Sequence, residues 1–459
     1  MIAINRVVRA LLVALALGAG PAAAQRQALS TRVDSIVTAA LRIGGMSIAV
    51  VWGRDTVTMK GYGLADVEND IPATAQTVFR IGSITKQFTS AVVMQLVEHG
   101  RLSLDDDITT FVPNAPVHGR RILIRQLLNH TSGIPSYTDV PEFDPVARLD
   151  LSHDSLLATI ATDSLLFEPG SHFYYDNTGY YLLGMTIETI AGQPYAEAIA
   201  TQLFTPLGLA STAYCSPGTI IRHRAQGYGV RRGQPVNAEY ISIDLAFAAG
   251  ALCSTVGDLV KWTNALSSGR VVSVASYTRM MTPVELPSGR KMTYGFGLEA
   301  GKLDSHRVIS HGGAINGFSA HLAYFPDDSL TVVVLANSSA PTGAIALNIA
   351  RAAFGLPLQV GPVLPKQMPT PPNLRAKLAG DYLLMQPNGS RVSATVTQQG
   401  DVLQLQIAGG PARQLLYQGE ATFAVDGMGP ARVCFDVVGA IATGFQLDAG
   451  GRPLEAVRH

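Results

Sequence analysis

In "IGSITKQFT" (residues 81–89) Ser83 stands three positions before Lys86, where an apolar run that reads as a helix from Ser83 to Gly100 begins. Residues at that spacing share one helix face, so a hydroxyl and an amine could touch there. A serine hydroxyl becomes a good nucleophile when a base takes its proton, and lysine is that base only as the neutral amine. The reference pKa of lysine is about 10.4, so service near pH 7 costs about 4 kcal/mol. Burial and the positive end of a helix both push in that direction. The plain alternative is a capping serine followed by a solvated first-turn charge. The pair alone does not choose between them.

Two later segments carry further candidates. "GSHFYYDNTGYYLLG" sets Tyr175 and Asn177 in a loop before a helix, and "ISHGGAINGF" sets His311, Gly312 and Gly313 at the end of a predicted strand. In isolation these read as an aromatic plug, a helix cap and a tight turn. His130 in "LLNHTSG" reads as a loop organiser, and Ser254 and Asp258 in "STVGDLVKW" as capping and first-turn residues.

The elements that must position these groups can be read from periodicity. "ALSTRVDSIVTAALRIG" has helical spacing, and "MSIAVVWG" with "DTVTMKGYG" reads as a strand hairpin. The helix beginning at Ser83 is apolar nearly all round, hence buried, and Gly100 supplies a stop. Residues from about 101 to 290 alternate helical patterns with Gly, Pro and Ser loops. Strand signals return at "YGFGLE", "SHRVISHGG", "FSAHLAYFP" and "LTVVVLANS", before the helical "GAIALNIARAAFG". The expected class is α+β: one antiparallel sheet from the two ends of the domain, flanked by helices, with an all-helical insertion. Residues 361–373 form a Pro-rich linker, and 374–459 read as a small antiparallel β domain, a sandwich or barrel, with no catalytic set of its own.

S-x-x-K, then Y-x-N, then H-x-G in that order resemble the signature of the penicillin-recognising serine hydrolases. Together with "FRIGSITKQFTSA", "LIRQLLNHTSGIP", "GALCSTVGDLVKW" and "YGFGL", they make the chain resemble the serine beta-lactamase-related family from about residue 30 to 355, near its class C, D,D-peptidase and esterase branch. The resemblance implies Ser83 as the nucleophile of an acyl-enzyme and Lys86 with Tyr175 as a shared base and acid. Asn177 and His311 would meet substrate. The backbone N–H groups of Ser83 and Ala314 would form an oxyanion hole. Gly312 and Gly313 would let a substrate strand approach the edge backbone.

The sequence departs from many beta-lactamases in having His311 where they carry lysine. Imidazole is mostly neutral at pH 7, which weakens any anchor for a substrate carboxylate. A peptidase or esterase is therefore expected ahead of a class C-like beta-lactamase or a non-turnover penicillin-binding sensor.

Composition limits the remaining choices. With 47% hydrophobic and 15% charged residues in 459, and 34 acidic against 34 basic side chains, the chain has ample core and no field for nucleic acid. A small peptide, ester or beta-lactam is the expected partner, with no cofactor and no metal. Residues 1–24, with Arg6 and Arg9 before an apolar run and Ala22–Ala24 at its end, read as a signal peptide, placing the domain of residues 25–360 in a bacterial periplasm or outside the cell. Cys215, Cys253 and Cys434 form no even set and read as small buried hydrophobes.

Overall fold

In the computed structural model, residues 21–459 are described except 141, 162–163, 360–367, 387–389, 420, 429–430 and 449–453. Most of the expected signal peptide and of the linker therefore lies outside the described residues. The linker reading is also shortened at its far end, because Pro372 and Asn373 open the helix Pro372–Leu378.

A seven-stranded antiparallel sheet runs in the order Ile71–Pro72, Asp55–Asp66, Gly45–Trp52, Leu330–Ala336, Phe318–Phe325, His306–Ile315, Glu299–Leu303. Its two central strands come from opposite ends of the domain, with Ile48 opposite Val334. Their apolar residues divide by the two-residue period of a strand. Met46, Ile48, Val50, Val332 and Val334 pack outward against the helices Pro21–Ala40 and Thr342–Ala353, through Leu29, Val33, Val37, Ile345 and Ile349. Ala49, Val51, Val333 and Leu335 face the other way, into the larger core that holds the helix after Ser83.

That helix runs Thr85–Glu98, and eleven of its fourteen residues are buried, as its all-round apolar pattern requires. Among its buried polar groups, Thr89 donates to the Ala248 carbonyl at 2.7 Å and Gln87 Oε1 accepts from Trp262 Nε1 at 2.9 Å, while Gln87 Nε2 has no hydrogen-bond partner among the described residues. Gly100 ends it at φ +65°, where a side chain would be strained.

The region between the two halves of the sheet is mainly helical and also carries short strands. Leu252–Ser254 pairs with both Phe79–Arg80 and Ala213–Tyr214, and Tyr228–Arg231 pairs with Gln234–Asn237. Strands this brief show too little alternation to be read from sequence. Beyond the linker, eight strands from Gly380–Met385 to Leu454–Arg458 close into an antiparallel barrel around Tyr382, Phe423, Phe435 and Phe445. Closure removes the exposed edges that an open sheet of this size would carry. Among the described residues, no helix is long and apolar enough to cross a membrane. Cys215 and Cys253 are buried in a small apolar cluster, and Cys434 is half-buried.

Candidate active site

Ser83 does not cap a helix. It sits in a single 3-10 turn, Gly82–Ile84, whose continuation is the α-helix starting at Thr85, and neither start has a side-chain cap. Lys86 is completely buried one turn on, and its Nζ lies 3.2 Å from Ser83 Oγ. The same nitrogen is 2.8 Å from Asn177 Oδ1 and 2.9 Å from the Ala249 carbonyl. Those two partners can only accept, whereas a hydroxyl can accept or donate. The arrangement thus suits an ammonium and equally a neutral amine, whose lone pair would then point at the Ser83 proton.

Tyr175 completes the group. Its ring centroid is 4.9 Å from Lys86 Nζ, and its hydroxyl hydrogen-bonds to Ser83. Burial pushes its phenol far above the ordinary range, against the lowering effect of that hydrogen bond. The loop that presents it is organised by His130, whose ring packs on Tyr175 at 4.3 Å. His130 also takes the Asp176 N–H on Nδ1 at 3.2 Å and gives its carbonyl to the Tyr174 N–H at 2.9 Å. Asp176, and not Asn177, caps the helix Asn177–Ala191 by accepting from the Gly179 N–H. Burial raises the Asp176 carboxyl to about 7, although that bond and the Lys86 charge oppose it. Asn177 is left to orient Lys86, with its Nδ2 donating to Thr138 at 3.1 Å.

The third wall is the strand His306–Ile315. Its neighbour Glu299–Leu303 pairs only as far as Ser310, so among the described residues the next five have no strand on that side. There the strand presses on the Ser83 turn. A Cβ on Gly313 would fall 1.9 Å from the Ile81 carbonyl oxygen, and one on Gly82 2.7 Å from the Ala314 nitrogen. Gly313 is therefore glycine because of the Ile81 carbonyl, whereas a Cβ on Gly312 would meet nothing closer than His321 Nδ1 at 3.7 Å. His311 is buried, with Nδ1 2.5 Å from the Gly312 carbonyl oxygen and Nε2 2.8 Å from the Tyr294 hydroxyl. A carbonyl only accepts, so the proton is on Nδ1, and Tyr294 donates to Nε2. Burial drives the His311 pKa down to about 3. The imidazole is neutral.

Ser83 opens on two cavities. One, of about 640 Å³, is lined by Tyr175, Tyr294, Glu299, His311 to Ala314 and His321, and the other, of about 220 Å³, by Tyr137, Phe143, Asn177 and Ala249. Among the described residues, no group of three His, Cys, Asp or Glu side chains could hold a metal ion.

The profile of the family described as Beta-lactamase matches residues 33–356, well over half of the chain. The chain belongs to the Beta-lactamase family. Penicillin-binding protein 4* of Bacillus subtilis (strain 168) is 29% identical to it over 427 residues, covering 88% of this chain and 93% of that protein. A D-aminopeptidase of Gluconobacter oxydans (strain 621H) is 28% identical over 347 residues, 74% of this chain and 63% of that protein. Among solved structures, the octameric penicillin-binding protein homologue from Pyrococcus abyssi aligns with a TM-score of 0.63 at 27% identity, over 93% of this chain and 99% of that one. The family includes serine hydrolases.

The sequence expects Ser83, Lys86, Tyr175, Asn177, His311, Gly312, Gly313 and Ala314 at one cleft; the structure sets Ser83, Tyr175 and His311 to Ala314 on the larger cavity and Asn177 on the smaller, with Lys86 buried behind Ser83. Sequence reasoning assigned no role to Ala249, Tyr294, Glu299 or His321. Tyr294 opens the recognised "YGFGL" segment, so a signal existed for it. Ala249 acts through its carbonyl, which side-chain motifs do not reveal. Ser254 is not a cap either: Thr255 caps Val256–Ser267, and Ser254 instead bonds Thr212 at 2.8 Å.

Proposed function

We propose that this protein hydrolyses an amide or ester bond through an acyl-enzyme on Ser83, acting on short D-amino-acid peptides or related amides and esters. The observation that carries the reading is the meeting of Ser83 Oγ with Lys86 Nζ at 3.2 Å and with the Tyr175 hydroxyl, at a junction of two cavities. Ser83 Oγ attacks the carbonyl carbon as its proton passes to the neutral amine of Lys86, directly or relayed through the Tyr175 hydroxyl. The carbonyl oxygen becomes an oxyanion, which the N–H groups of Ser83 and Ala314 receive. When the intermediate collapses, the bond to the leaving amine or alkoxide breaks and Tyr175 returns a proton to it. Water then adds to the acyl carbon by the same route in reverse, and the acid departs with Ser83 restored.

Neutral His311 supports a peptidase or esterase ahead of a beta-lactamase, because it offers a substrate carboxylate no cation. The named D-aminopeptidase relative supports an amide substrate. A parallel screen of short-chain p-nitrophenyl esters, D-alanyl peptides and a chromogenic cephalosporin, run with Ser83→Ala beside it, tests the proposal. Turnover of esters or D-amino-acid amides that disappears in Ser83→Ala is expected; turnover that survives in that variant would overturn it. Export through the N-terminal segment is part of the same reading, and N-terminal sequencing of protein recovered from the periplasm or medium checks it.

A further inference from the structure

The C-terminal barrel reaches the cleft. Gln446, on the barrel strand Ile441–Asp448, lines the same 640 Å³ cavity as Ser83, Tyr175 and His311, and only 7% of it is exposed. Its placement is enforced from behind. Gln446 Nε2 donates to Glu455 Oε1 at 2.8 Å, and the wholly buried Glu455 accepts from Arg290 Nη2 at 3.2 Å. Arg290 Nη1 in turn reaches the buried Asp436 Oδ2 at 3.2 Å. Arg290 belongs to the hydrolase domain, and it sits in the same loop as Thr293 and Tyr294, which line the cavity. One guanidinium therefore lies between two buried barrel carboxylates. Burial raises the Glu455 carboxyl to about 7 against the opposing Arg290 charge, and removing Arg290 would leave both carboxyls buried without their cation, so this contact ties the barrel to the cleft loop.

The chemistry offered to the cavity follows from that arrangement. Because the amide nitrogen of Gln446 is committed to Glu455, its carbonyl oxygen is the group left for a ligand. Among the described lining residues the cavity has one carboxyl side chain, Glu299, and no lysine or arginine. Its two histidines, His311 and His321, are both held neutral by burial. The described lining thus offers the Gln446 oxygen and one carboxyl, Glu299, and no cationic side chain.

We propose that the barrel is part of the substrate site, with Gln446 accepting a hydrogen bond from the free amino group of the substrate, so that amino-acid amides and esters with an unblocked amine are preferred over N-acylated ones. This rests on the Ser83 hydrolase reading and adds to it which end of the substrate is recognised and by which domain.

The test uses the full chain with D-phenylalanine 4-nitroanilide, its N-acetyl derivative and p-nitrophenyl acetate, in wild type and Gln446→Leu. Wild type is expected to favour the free amine by tenfold or more in kcat/KM, roughly the effect of one charge-assisted hydrogen bond. Gln446→Leu should lose most of that preference while acetate hydrolysis stays within about twofold. A preference unchanged in Gln446→Leu, an equal loss on all three substrates, or no wild-type preference for the free amine would overturn the proposal. Labelling of Ser83 by a fluorophosphonate separates the two levels. Labelled Ser83 without an amine preference refutes only the role of the barrel, whereas unlabelled Ser83 with no Ser83-dependent hydrolysis refutes the enzyme reading beneath it.

Discussion

Substituting alanine at Gly313 tests how the cleft is assembled. The backbone of Gly313 is not in the left-handed region, so alanine is acceptable to the chain conformation itself and the effect isolates one contact. The added Cβ would stand 1.9 Å from the Ile81 carbonyl oxygen and 3.3 Å from the Ser83 nitrogen, whereas ordinary contact begins at 3.4 Å. Ile81 has little room to withdraw, since it is fully buried and its N–H is bonded to the Leu252 carbonyl at 3.0 Å. The strand and the Ser83 turn must therefore separate by on the order of 1 Å, a misplacement that typically costs about 100-fold in rate. Overpacking of this kind destabilises by about 1–3 kcal/mol, so the protein should still fold. Gly312→Ala is the matched control, because its Cβ would meet only ordinary contacts at 3.7 and 4.0 Å. Stopped-flow acylation by a fluorophosphonate, with thermal unfolding of each variant, reads both effects. Gly313→Ala should acylate about 100-fold more slowly and Gly312→Ala within about threefold of wild type. Wild-type acylation in a folded Gly313→Ala protein would refute the claim that this close approach sets the position of Ser83.

Lys86→Ala and Tyr175→Phe should each slow acylation by about 100- to 10,000-fold, the range of general acid and base terms, and near-native rates in both would remove them from the chemistry. Arg290→Met should leave Asp436 and Glu455 buried without their cation, at about 3–5 kcal/mol, so that urea unfolding separates into a barrel transition and a hydrolase transition. Two buried histidines should withdraw stability as pH falls through a defined window. His311 and His321 stay unprotonated in the native state down to about 3 and about 4, while an unfolded histidine takes its proton near 6.5. The unfolded state therefore binds more protons between those values, and their contribution, complete above about pH 6.5, is lost as pH falls toward 4. The carboxyls of Asp176 and Glu455, both raised to about 7 by burial, act in the opposite sense over the same window, so the check is a comparison: acidification should cost His321→Asn less thermal stability than it costs wild type, and identical profiles would contradict it.

The central sheet was legible because its strands are long enough to show their pattern. "MSIAVVWG" and "LTVVVLANS" are mostly apolar on both alternating faces, and the structure buries both faces of each strand. The C-terminal segment reads as strand-rich, a sandwich or a barrel, but its closure is not legible, because it depends on Gly380–Met385 pairing with Leu454–Arg458 from the other end of the domain. The S-x-x-K spacing foretold the contact of Ser83 with Lys86, for three residues along a helix is a local distance. The sequence reading assigned Gly312 and Gly313 one shared purpose, and the structure separates them.

By itself, then, the sequence determined what is local: the period of each strand and helix, the serine and lysine on one turn, and the order of the three motifs. Tertiary packing decided the rest. It brought the Ala249 carbonyl to an amine 163 residues away, the Tyr175 loop over Ser83, and Gln446 from a second domain into the cleft. Such contacts depend on how whole surfaces fit, and a backbone carbonyl or an amide on a barrel strand acquires its chemical meaning only from what the fold sets against it.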